Sequence, residues 1–118
     1  MKEGKNILKS LKTAWNGIWE TLIKEPVFKY FIIAAITIIA AMLYFQTTRT
    51  EKGILLTMIF TLLTLELINS ALERFLDFLE PRDNPKVRII KDLLAAIVLL
   101  AALGALSIGI LIFWPYLK

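Results

Sequence analysis

Four polar side chains recur along one stretch of the sequence: Glu66, Asn69, Glu73 and Asp77. At about 100° per residue they fall within an arc of roughly 80° on an α-helix, so one face carries three carboxylates and an amide. Around them stand Leu62, Leu63, Leu65, Leu67, Ile68, Leu72 and Phe75. A carboxylate in a membrane helix costs roughly 2.5–3.5 kcal/mol on insertion scales, which makes it a functional-site hypothesis by default. Two kinds of chemistry suit such a stripe. Carboxylates hold a hard cation, most naturally Mg²⁺, which takes one or two of them and fills its other positions with phosphate and water oxygens. A carboxylate partly withdrawn from water also accepts a proton more readily, as a general base for an alcohol must. Three classes of function fit: a membrane-embedded enzyme, a small proton-coupled transporter that exchanges protons at Glu66, and a structural polar seam.

Composition narrows these classes. Of 118 residues 58% are hydrophobic, with a mean hydropathy of +0.68, where a soluble domain has about 45–50%. The apolar residues form blocks, the pattern of membrane spans. There is no cysteine and no histidine. Disulfides and thiolate metal sites are excluded, and acid–base work falls to Asp, Glu, Lys or Tyr. The net charge is +4. The basic residues flank the apolar blocks, which points to anionic lipid headgroups rather than nucleic acid.

The elements that carry the stripe follow from periodicity. The chain reads as a single all-α integral membrane domain, residues 1–118, with an amphipathic surface helix and three transmembrane helices. Residues 5–24 place Ile7, Leu8, Leu11, Trp15, Ile18, Trp19 and Leu22 on one face and Lys9, Lys12, Asn16, Glu20 and Lys24 on the other. Two Trp opposite a basic face suit a helix lying in the membrane interface; a surface helix of a soluble bundle is the plainer reading. Glu25-Pro26 breaks this helix and sets Glu25 at a corner. The spans lie within helices over 28–45, 53–80 and 92–116. A short polar loop over 46–52 and a proline-marked basic loop over 81–91 join them. In the last span Ala95, Ala101, Gly104, Ala105 and Gly109 permit close helix packing.

Charge sets the topology. The amino-terminal segment to residue 29 carries Lys2, Lys5, Lys9, Lys12, Lys24 and Lys29, and the segment after the second span carries Arg74, Arg82, Lys86, Arg88 and Lys91, whereas the 46–52 loop holds Arg49 and Lys52 alone. The positive-inside rule puts the amino terminus and the 74–92 region in the cytoplasm. At about 1.5 Å per residue, Glu66 lies roughly 20 Å and Glu73 roughly 30 Å below Gly53. The stripe thus reaches from the inner leaflet to the cytoplasmic surface, where a lipid headgroup and a cytosolic nucleotide meet. Glu25 sits at a depth similar to Glu73, so the two could share an ion. Lys91 can pair with phosphate as a point charge. No Gly-rich P-loop motif is present, so phosphate must be held by side chains, metal and helix ends.

The motif Glu66-Leu-Ile-Asn69-Ser-Ala-Leu-Glu73-Arg-Phe-Leu-Asp77, followed after 13 residues by Lys91-Asp92, resembles the prokaryotic diacylglycerol kinase family, which includes undecaprenol kinases. Ala14-x-x-Gly17 and Glu25 fit its surface helix and first acid, and Gly109-x-x-Ile112-Phe113-x-Pro115 looks like the undecaprenol kinase ending. The resemblance spans roughly residues 7–117. It implies a homotrimer with composite sites, embedded in the bacterial cytoplasmic membrane, that phosphorylates the primary hydroxyl of a membrane lipid with ATP and Mg²⁺. It implies Glu66 as catalytic base, Glu25 and Glu73 as ligands of Mg²⁺ and the ATP phosphates, and Asp77, Lys91 and Asp92 at the nucleotide. Asn69 would support the catalytic helix, and Ala14, Trp15 and Ala95 would contact the lipid with Glu66. The chain departs from the family at Asn6, at Pro26-Val27 and at Pro81-Arg82-Asp83-Asn84.

Overall fold

A computed structural model describes residues 2–118, with side chains from Asn6 onward. Met1 and the side chains of residues 2–5, among them the positive charges Lys2 and Lys5, lie outside the described residues. Four helices follow in order: α1 Lys2–Lys24, α2 Pro26–Tyr44, α3 Arg49–Leu79 and α4 Pro85–Leu117. The last three are long and apolar enough to cross a membrane.

The boundaries follow local chemistry. Glu25 is extended (φ −107°, ψ 110°) and Pro26 takes the first position of α2, where its missing N–H goes unneeded and its fixed φ suits a helix. At the other end of α2, the Thr47 N–H bonds back to the Met42 carbonyl while Gln46 adopts a positive φ of 50°. That is the left-handed stop with which many helices end, here on a residue other than glycine.

Two expected loops are shorter than the composition suggests. Helix α3 begins at Arg49 rather than Gly53. Thr48 accepts from the Glu51 N–H and Glu51 reaches back to the Thr48 N–H, a reciprocal capping box that polar residues alone did not announce. Helix α4 begins at Pro85 rather than Asp92, because the Asn84 side chain accepts from the Lys86 N–H and Pro85 fits the first turn. Lys86, Arg88 and Lys91 are therefore helical. Pro115, expected near an exit, lies inside α4, which runs on to Leu117.

Helix α3 is central. It touches α1, α2 and α4, while α4 meets only α3 among the described residues. The core is thin. Phe28, Ala35 and Met42 of α2, seven residues apart, form its buried face, and Leu55 and Ile59 of α3 and Val98 of α4 are also buried. Ile33, Phe60, Leu100 and Leu111 are exposed, as expected where hydrocarbon is the solvent. The molecule measures 52 × 48 × 21 Å.

Candidate active site

The buried face of α3 changes character along its length. Leu55 and Ile59 give way to Glu66 and Ser70 as its buried residues. Glu66 keeps 4% of its surface and Ser70 3%. Glu25 and Glu73 both lie within charge reach of Glu66. Folding thus brings Glu25 from the α1–α2 corner to the acids of α3. The Asn69 carboxamide oxygen is buried and has no hydrogen-bond partner among the described residues.

Two residues without an expected role complete this cluster. The Ser70 hydroxyl donates to Glu25 Oε1 (3.4 Å). The Arg74 guanidinium donates to Glu25 Oε2 (3.4 Å) and to Glu20 Oε1 (2.7 Å). Glu66, Ser70 and Arg74 stand four residues apart, so they share a second stripe on α3, within about 80° of arc. That spacing was visible in the sequence; its partners, Glu20 on α1 and Glu25 at the corner, were not. The hydrogen bond from Arg74 holds the Glu20 carboxyl below its ordinary pKa, with the nearby charge of Lys24 adding to it.

Further toward the charged end, Lys91 of α4 pairs with Asp77 of α3 and lies within charge reach of Glu73. Asp92 is exposed beside it. The 80–84 link is internally tied: Glu80 accepts from Arg82 Nε (3.1 Å) and the Asn84 amide (3.4 Å), and Arg88 binds the Asp83 carboxylate. Arg82, followed by Asn84, holds the Glu80 carboxyl below its ordinary pKa. A recess of about 260 Å³ between Asp77, Glu80, Arg82, Arg88 and Lys91 opens here.

The residues expected to meet lipid divide. Ala14 lines a groove of about 380 Å³ between α1 and α3, with Gly17, Thr21, Ser70 and Arg74. Trp15 points outward, 63% exposed, and Ala95 is exposed on α4.

The oxygen-only donor set suits a hard cation. Among the described residues no three acids close on a point where a metal ion could sit. Mg²⁺ does not require that, since it typically uses one or two carboxylates and leaves other positions to phosphate and water. Glu25 and Glu73 are of the residue type that pattern calls for, and the Asn69 oxygen is an acceptor left free among the described residues.

The sequence matches the family model described as prokaryotic diacylglycerol kinase over residues 12–113. It is 32% identical over 109 residues to a protein named undecaprenol kinase from Bacillus subtilis, covering 92% of this chain and 89% of that one. It is 29% identical over 110 residues to one named diacylglycerol kinase from Helicobacter pylori, covering 93% and 79%. The transporter reading finds no support among these relatives and leaves Asn69, Glu73 and Lys91 unexplained. With an acid cluster on a membrane helix and this likeness over nearly its whole length, the chain belongs to the prokaryotic diacylglycerol kinase family and is a membrane lipid kinase.

Proposed function

We propose that the protein transfers the γ-phosphate of ATP to the primary hydroxyl of a membrane lipid, with Glu66 as general base. The observation that carries this reading is the burial of Glu66 within charge reach of Glu25 and Glu73. In the step, the lipid oxygen forms a bond to the γ-phosphorus, the bond from that phosphorus to the bridging oxygen of ADP breaks, and the hydroxyl proton passes to Glu66. Phosphoryl transfer needs little covalent help from protein, so positioning and charge neutralisation do most of the work. Glu25 and Glu73 hold Mg²⁺, which neutralises charge on the phosphates when bound. Lys91 contributes a point charge to the phosphates, and Asp77 and Asp92 orient it and the nucleotide. Asn69 braces the catalytic stretch of α3.

The whole chain acts as one membrane domain. Helix α1 lies in the interface, its Trp15 and Trp19 toward lipid and its lysines toward headgroups. The amino terminus and the acid cluster face the cytoplasm of a bacterial cell, as the distribution of positive charge supports. The protein works as a homotrimer in its cytoplasmic membrane, with each site finished by a neighbouring protomer. The resemblance to the family supports that assembly, and the sparse core leaves each protomer little packing of its own. Ala14, Trp15 and Ala95 contact the lipid.

Undecaprenol is the favoured substrate and diacylglycerol the second, because the ending Gly109 to Pro115 resembles the undecaprenol branch. Transfer of radiolabel from ATP to each lipid, with purified protein in vesicles, tests this. Label in neither lipid overturns the reading; faster labelling of diacylglycerol reverses the order of substrates.

A further inference from the structure

We propose that Arg74 is the positioning residue for Glu25, fixing its carboxylate at the acid cluster before nucleotide arrives; this rests on the reading that Glu25 serves Mg·ATP. Glu25 lies on a corner between two helices, outside any regular element that would aim its side chain. Its backbone continues the α1 ladder, the N–H bonding to the Thr21 carbonyl (2.8 Å), but among the described residues its side chain is held from α3. Ser70 takes one oxygen and Arg74 the other.

Charge explains why a cation is needed there. Glu25, Glu66 and Glu73 bring three carboxylates together, and like charges so placed repel. Without a counter-charge, Glu25 would be driven outward to water, which its corner position allows. The guanidinium of Arg74 supplies that charge and is itself aimed by Glu20, its shorter contact. One planar group with two forks can serve both carboxylates at once; a lysine ammonium is a point charge and lacks that geometry. Arg74 therefore links three places: α3, the last turns of α1 and the corner acid.

The test uses the full chain in lipid vesicles, with R74Q, R74K, E25Q and the double variant E25Q/R74Q. A half-exposed ion pair of this kind is worth up to roughly 1 kcal/mol, or about fivefold. R74Q is expected to raise the KM for Mg·ATP about fivefold with kcat changed less than twofold, and R74K to recover part of that. The double variant should be no worse in KM than E25Q alone. Hydrogen exchange of the 20–28 segment without nucleotide gives a readout apart from turnover: R74Q should quicken it more in the parent protein than in an E25Q background, where only the Glu20 contact is left to lose. If E25Q leaves KM unchanged, the role given to Glu25 fails. If E25Q raises KM but R74Q does not, or if R74Q and E25Q effects simply multiply, the positioning role of Arg74 is overturned.

Discussion

Replacing Glu66 with glutamine separates chemistry from binding and folding. The two side chains are nearly equal in size, so no cavity opens around a residue that retains 4% of its surface. The change removes one negative charge from a cluster of three carboxylates and one guanidinium, taking the local sum from about −2 to −1, which relieves repulsion. Folding should therefore not suffer, and the thermal transition of E66Q should lie at or above that of the parent protein. ATP affinity should hold within about threefold, because Glu66 is not assigned to the phosphates. Turnover should fall by about 10²–10⁴, the range over which a positioned general base contributes. At 1.36 kcal/mol per decade, that is roughly 3–5 kcal/mol of barrier. The assay is initial-rate transfer of radiolabel from ATP to lipid in vesicles, beside a fluorescent-nucleotide titration and a melting curve on the same preparation. A kcat within tenfold of the parent would refute the reasoning, since no general base survives conversion to an amide.

Three other outcomes follow from the same geometry. Glu73→Gln should weaken Mg·ATP binding about tenfold while leaving the helical circular dichroism unchanged, and an unaltered titration would remove Glu73 from the nucleotide site. Tyr116→Phe breaks the hydrogen bond to Glu51, which also caps α3, and should lower the unfolding midpoint with kcat kept; an unchanged unfolding midpoint would show that this α3–α4 clasp is idle. Because Arg74 lowers the pKa of Glu20, folding gains from that contact at pH values above the ordinary Glu range, near 4.3, and loses it as pH falls through the depressed value. R74Q should flatten that acid arm of the stability–pH curve, and an identical curve in both proteins would exclude the contact as its source.

Helix count and span positions were legible because bilayer thickness leaves a coarse mark: blocks of apolar residues about 18 or more long. The ends of the helices were less so. Thr48 with Glu51, and Asn84 with Pro85, are short capping signals embedded in polar stretches that also read as loop. Polarity could not distinguish a loop from a solvated first turn, so α3 and α4 each begin earlier than hydropathy suggests. Capping chemistry, read residue by residue, would have set both starts.

The candidate site divides along a similar line. Glu66, Asn69, Glu73 and Asp77 were recoverable because they share one helix, where spacing fixes relative direction. Lys91 was recoverable by resemblance and now pairs with Asp77. Ser70 and Arg74 stood in the same motif and went unassigned, since a serine and an arginine on a helix ordinarily satisfy themselves locally or in water. Their meaning depends on Glu25 and Glu20, 45 and 54 residues away, and periodicity carries no information about which helix lies opposite. The four-residue step Glu66, Ser70, Arg74 did hold a hint. A second polar stripe, turned from the first, requires a second polar neighbour, and the corner at Glu25-Pro26 is where a chain leaving one helix for another can present a carboxylate to it.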